Sequence, residues 1–268
     1  MLEVIDKGPV GDSRKTPLLF VHGAWHGAWC WDEHFLDFFA AKGYRSVAVS
    51  LRGHGNSPAP KSMRFCSMAD FVDDVASVAD GLPRRPVVIG HSMGGFVVQK
   101  YLESHDAPAA VLLASVPPSG IARFLWGRFR LHPWLTTRHL ATTKSLGSVG
   151  RTPELARESF FSDSAADADV VRYAARLDEE YLGGHVLGML WLDLPKPALV
   201  NAPMLVLGAE NDILFSPQEV RATANAYRTE AEFIPGMAHD MMLEPGWADV
   251  AERIHAWLEI RCPAASPK

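Results

Sequence analysis

Apolar positions along the chain follow two alternating patterns. Short continuous apolar runs, rich in β-branched residues, occur at Leu18–Val21, Val47–Ser50, Val87–Ile89, Ala109–Ala114 and Met204–Leu207. Runs of that length bounded by turn residues read as strands buried on both faces, as in a parallel sheet. Between them the apolar spacing becomes helical. Phe35, Leu36, Phe38 and Phe39 follow Asp32-Glu33, and Met68, Phe71, Val72, Val75 and Val78 lie between a Ser67/Asp70 cap and Gly81. Phe96, Val97, Tyr101 and Leu102 follow Met93 in the same way. Strand alternating with helix predicts an α/β architecture: a mostly parallel, doubly wound sheet with helices on both faces.

The alternation breaks at Pro117-Pro118, and from there to Pro203 the pattern is helical with no convincing strand. Thr152-Pro153-Glu154 reads as a helix start, and Val170, Val171, Ala174, Leu177 and Tyr181 keep helical spacing as far as Gly183-Gly184. The expected organisation is a sheet core formed by residues 1–115 and 203–268, with 116–202 inserted as a helical cap. After the insertion come a Ser216-Pro217-Gln218-Glu219 capping box, a strand around Glu230–Ile234, and a last helix with Val250, Ile254, Trp257 and Leu258 on one face.

At 268 residues the chain can bury a sizeable core, and a net charge of −5 argues against nucleic acid as the main partner. The start Met1-Leu-Glu-Val-Ile-Asp is too short and acidic for a signal peptide, and no apolar run reaches membrane-spanning length. Cys30, Cys66 and Cys262 make an odd count without a pairing pattern, which suits a reducing, cytoplasmic setting.

The chemistry centres on Gly90-His91-Ser92-Met93-Gly94, a G-x-S-x-G match set between a strand and a helix. So tight a turn leaves no room for side chains at Gly90 and Gly94. It projects the Ser92 hydroxyl at a helix N-terminus, where backbone N–H groups favour negative charge. A serine hydroxyl is a weak nucleophile and needs a base, itself oriented by an acid. In a parallel sheet these partners belong in loops at the carboxyl ends of strands. His239 follows the last strand, and Glu210 and Asp212 both follow the strand at 204–207, giving the chain order serine, acid, histidine. His22-Gly23 and His26-Gly27 follow the first core strand and mark a loop of close backbone approach. His22 and His26 are four apart, but they lie in a loop and lack the glutamate of H-E-x-x-H, so no metal or cofactor is implied.

With these motifs in this order, the chain resembles the α/β-hydrolase fold superfamily, in its serine esterase and lysophospholipase-like branch, over nearly all its length outside the cap. The resemblance implies Ser92 as nucleophile, His239 as base and Asp212, in preference to Glu210, as the orienting acid. It also implies an oxyanion hole from the backbone N–H groups of Met93 and Ala24, with Trp25 as the alternative to Ala24. The expected reaction is hydrolysis of a small-molecule or lipid-like carboxylic ester through an acyl-enzyme. Lactonases, thioesterases and C–C bond hydrolases share that machinery, cofactor-free haloperoxidases share the triad, and a non-catalytic receptor on the same fold is a further alternative. Ser92 stands where dehalogenases and epoxide hydrolases carry aspartate. Asp240 stands where hydroxynitrile lyases carry lysine, and His91 where meta-cleavage hydrolases usually carry asparagine.

Between Ile121 and Leu135 the insertion gathers Phe124, Leu125, Trp126, Phe129, Leu131, Trp134 and Leu135 around Arg123, Arg128 and Arg130, with no acidic residue from Ala107 to Thr152. One reading is an amphipathic helix packed on the core with solvated arginines. The other is an aromatic roof in which Trp126 and Trp134, with Trp25, meet the substrate while the arginines face an anionic headgroup or membrane surface.

Overall fold

Apolar runs that alternate with helices form, in a computed structural model of the chain, a seven-stranded sheet ordered β1-β3-β2-β4-β5-β6-β7. The structure describes residues 1–9, 15–59, 62–134, 137–138, 152–180 and 183–264; Leu135 and Tyr181 of the sequence reading lie outside them. The strands are β1 Val4–Lys7, β2 Leu18–Val21, β3 Ser46–Val49, β4 Val87–His91, β5 Ala110–Leu113, β6 Met204–Ala209 and β7 Ala231–Ile234. Every neighbouring pair is parallel except β1 with β3. All residues of β2, β4 and β5 are buried, as their unbroken apolar runs require.

β1 is the strand that the apolar pattern does not announce. It is a half-exposed edge strand of four residues, held to β3 by antiparallel pairing from Val4↔Val49 to Lys7↔Ser46. The helix expected from Asp32 is instead two short ones, Trp29–Asp32 and Phe35–Ala41. Both expected capping boxes are present, Ser67 with Asp70 and Ser216 with Glu219, and each opens its helix where the sequence placed it.

Between β5 and β6 the described residues hold no strand. Their main helices are Ala122–Leu131, Pro153–Phe160 and Asp167–Ala174, the second opened by a Thr152 side-chain cap with Pro153 at its first position. The third stops at Ala174, so Leu177 lies beyond its end.

Sheet order reverses between β2 and β4: β2 leads outward to β3, whereas β4 leads the other way to β5. The crevice outside the carboxyl ends of strands at such a switch point is where α/β sheets place their ligands. The β2 loop, with its two His-Gly pairs, and the Ser92 turn both leave the sheet there.

Candidate active site

Ser92 joins β4 to the helix Met93–Tyr101 with φ 52° and ψ −119°, a left-handed conformation that costs a non-glycine residue on the order of 1–3 kcal/mol. The surrounding backbone holds it there. Ser92 N–H donates to Leu113 C=O at 3.1 Å, and Ser92 C=O accepts from Gly95 N–H at 3.0 Å and Val116 N–H at 3.1 Å. The neighbouring glycines answer to crowding: a Cβ on Gly90 would strike the Gly94 backbone, and one on Gly94 would strike the carbonyls of Val21 and His22. A Cβ on Gly23 would come within 2.9 Å of the Ser92 Cβ, so the β2 loop passes directly against the serine.

A small cavity of about 30 Å³ lies over Ser92, lined by Ala24, Trp25, Met93, Val116, Ile121, Phe124, Glu180, Met189, Leu214 and Phe215. Met93 opens its helix, so its N–H is one of the first-turn donors with no acceptor inside the helix. Trp25 lines the space, but its N–H is donated to Glu180 Oε2 at 3.3 Å.

His239 is buried, and its Nδ1 lies 2.8 Å from Asp212 Oδ2. The other Asp212 oxygen, Oδ1, accepts from Leu214 N–H at 2.7 Å and Phe215 N–H at 3.2 Å, which fixes the carboxylate so that Oδ2 faces the ring. Glu210 is exposed, and its Oε2 accepts from Gly236 N–H at 3.0 Å. Phe215 links the two halves of the site: its ring centroid is 5.6 Å from that of His239, and it lines the cavity over Ser92. Burial opposes protonation of His239, but the charge of Asp212 and its hydrogen bond outweigh that and hold the imidazole pKa above its ordinary value.

His91 packs beside His239 with ring centroids 4.7 Å apart, and its Nε2–H donates to the His239 carbonyl at 3.0 Å. Burial, with His239 close by, pushes the His91 pKa down to about 3, so it stays neutral and does not compete for protons. Asp240, fully buried next in the chain, accepts from His26 Nε2 at 3.0 Å. Burial alone would raise the Asp240 pKa, but the charge and hydrogen bond of His26 bring it below the carboxylate norm. His91, His239 and Asp240 each bring a possible ligand atom within 4.8 Å of the others, yet each also holds a protein partner, and together they brace the His239 loop. His22 is a brace too: its Nδ1–H donates to Gly23 C=O at 2.7 Å, and its Nε2 accepts from Leu51 N–H at 3.0 Å. Burial and nearby His54 push its pKa well down, in keeping with that neutral tautomer.

The residues expected at the site are thus drawn together in two groups, Ser92 with Ala24, Trp25 and Met93, and His239 with Asp212. Trp126 and Trp134 are not drawn in. They are 61% and 78% exposed, on the outer side of the insertion. The reason is helical phase. Phe124 faces the cavity, Trp126 follows it by about 200° around the helix, and Trp134 lies beyond the helix end. Arg128, read as a solvated or headgroup-facing cation, is buried and paired with Glu158 at 3.4 Å. A second group escaped the sequence reading altogether: Glu180, His54 and His185 form a buried network beside the cavity. Glu180 and His54 are 126 residues apart, and no local pattern pairs them.

The comparisons with known proteins agree with this fold. A model described as "Alpha/beta hydrolase family" matches residues 18–253. A non-heme chloroperoxidase of Streptomyces lividans is 40% identical over 112 residues, 40% of this chain, and the match spans 40% of that relative's length. A monoacylglycerol lipase of Mycolicibacterium smegmatis is 24% identical over 242 residues, 84% of this chain and 82% of that protein. Among solved structures, a thermophilic esterase from Thermogutta terrifontis superposes with a TM-score of 0.74 at 22% identity, covering 97% of this chain and 94% of that one.

Proposed function

The chain belongs to the alpha/beta hydrolase family, and from that premise we propose that it is a serine esterase that cleaves a small carboxylic ester through an acyl-enzyme. The observation that carries the reading is a serine held at φ 52° on a helix N-terminus, whose cavity wall Phe215 lies 5.6 Å, ring to ring, from a buried imidazole that is itself 2.8 Å from a fixed carboxylate. Relatives named esterase and monoacylglycerol lipase support the same class.

In this reading Ser92 Oγ attacks the ester carbonyl carbon while its proton passes to His239 Nε2. Asp212 keeps the ring in the tautomer with Nδ1 protonated and stabilises the imidazolium. The oxyanion is met by the N–H groups of Met93 and Ala24, since fixed backbone donors stabilise developing charge without reorganising. Collapse of the intermediate breaks the C–O bond, and the alcohol leaves with the proton from His239. Water then attacks the acyl-enzyme, giving its proton to His239. The carboxylic acid departs and Ser92 regains its hydrogen. The insertion at 116–202 acts as a cap whose Ile121, Phe124 and Met189 close the acyl side.

Turnover of p-nitrophenyl acetate tests this. Ser92→Ala and His239→Ala should each lower kcat on the order of a million-fold with the fold retained. More than a few per cent of wild-type activity in either pure variant would overturn the assignment. A relative of Acinetobacter calcoaceticus named bifunctional esterase/perhydrolase, 36% identical over 118 residues, favours a second activity at the same site, attack of hydrogen peroxide on the acyl-enzyme to release a peracid. It should appear as peroxide-dependent peracid formation that vanishes with Ser92→Ala.

A further inference from the structure

Glu180 comes from the insertion, yet it reaches the loop that follows β2. Its side chain is 1% exposed and meets three donors. Oε2 accepts from His54 Nε2 at 3.0 Å and from Trp25 N–H at 3.3 Å, and Oε1 accepts from His185 Nε2 at 2.7 Å. Two residues earlier, Asp178 N–H donates to Trp25 C=O at 2.7 Å. Trp25 is left-handed, with φ 65°, and one strip of the insertion holds it at both its N–H and its C=O.

The peptide joining Ala24 to Trp25 is fixed at both ends as well. Its N–H is on Glu180, and its carbonyl, that of Ala24, accepts from His26 Nδ1–H at 2.8 Å. His26 is anchored in turn by Asp240, the neighbour of His239. With that plane unable to turn, and with the Gly23 carbonyl of Ala24's own peptide accepting from His22 Nδ1–H at 2.7 Å and His26 N–H at 3.3 Å, the direction of the Ala24 N–H is set from both sides. Ala24, Glu180, Ser92 and Met93 all border the same cavity. A buried carboxylate this close to a developing oxyanion would oppose it, but Glu180 spends its charge on two imidazoles and a peptide N–H.

We propose that Glu180 is the positioning residue of the oxyanion loop: by holding the Trp25 peptide it aims the Ala24 N–H, so that seating the insertion on the sheet completes the oxyanion hole. The proposal rests on the serine-esterase reading above. Sequence order hides it, because the residue that sets the loop lies 155 positions away.

The test compares Glu180→Ala, Glu180→Asp and Ser92→Ala on p-nitrophenyl acetate. For the wild type and the two Glu180 variants the Ki is also measured for a trifluoromethyl ketone, which adds to the serine and presents an oxyanion. Misaiming one oxyanion donor should lower kcat of Glu180→Ala about a hundred-fold with KM within about three-fold, and raise the ketone Ki by the same factor. Glu180→Asp keeps the charge beside the histidines but is one methylene too short for all three donors, and should lose at least about ten-fold in both readouts. An unfolded fraction would lower apparent kcat and leave Ki unchanged. The proposal is therefore overturned if either folded variant keeps wild-type kcat, or loses kcat without a matching rise in Ki. Should Glu180→Ala fail to fold, Glu180→Asp decides by the same two readouts. Activity surviving in Ser92→Ala would instead overturn the esterase reading, an outcome separable from the Glu180 result.

Discussion

Asp212 divides its two carboxylate oxygens between the backbone and His239, and that division makes the contrast with Glu210 testable. Because Oδ1 is tied to Leu214 and Phe215 N–H, an asparagine at 212 can present its NH₂ to the ring and favour the wrong tautomer. Asp212→Asn should lower turnover about ten-thousand-fold, and Glu210→Gln less than about ten-fold; steady-state kinetics check both, and a reversed ranking would move the orienting role to Glu210. In the proposed triad His239 must be neutral to accept the proton of Ser92, and the carboxylate raises the His239 pKa. Activity is therefore lost as pH falls through that raised value, and the acid limb of kcat/KM should lie above the ordinary imidazole value of about 6.5. Asp212→Asn should move the limb downward in a pH–rate profile of the residual activity. A wild-type limb at or below the ordinary value would contradict this electrostatic account. Single residues were legible where a motif fixes their place, as at Ser92, or where a strand end does, as at His239. The supporting hydrogen bonds of His91, His26 and Asp240 were not, since each joins segments far apart in sequence.

At the scale of elements, the helix Ala122–Leu131 shows what an amphipathic pattern leaves open. Its aromatic content was plain, but the phase that turns Phe124 inward and Trp126 outward depends on what the helix packs against. Phe124 meets Phe215 at 6.3 Å between ring centroids and, with it, limits a cavity of about 30 Å³. A space of that size holds roughly one or two waters, room for a short acyl group. Each added buried methylene contributes about 0.8 kcal/mol, roughly four-fold in kcat/KM, until the space is full. Among p-nitrophenyl esters, kcat/KM should therefore peak at acetyl to butyryl and fall for longer chains. Phe124→Ala should shift the peak to longer chains, while Trp126→Ala should leave the series unchanged. A wild-type preference for octanoyl would show that the aromatic wall does not limit the acyl site. Capping boxes were legible because cap and partner lie three residues apart. β1 was not, because a half-exposed edge strand gains its stability from pairing with β3.

For the whole molecule, the sheet was readable because strands buried on both faces must be continuously apolar, and the order serine, acid, histidine followed from that frame. The break in alternation after β5 was readable in the sequence, but the contacts of the described residues that follow it were not, because they are long-range. No helix among the described residues is long and apolar enough to cross a membrane. What unites fold and chemistry is the switch point between β2 and β4, which sets the Gly23 backbone against Ser92 and crowds the serine into its strained turn. In the proposed esterase one covalent event takes place there, transfer of the acyl group to Ser92 Oγ. Rapid mixing with p-nitrophenyl acetate at low pH, followed by quenching and peptide mass spectrometry, looks for that event directly. The prediction is a single acetyl adduct on the peptide containing Ser92, formed at up to one per chain and absent from Ser92→Ala. Rapid turnover with no adduct on Ser92, or with an adduct on any other residue, would contradict it.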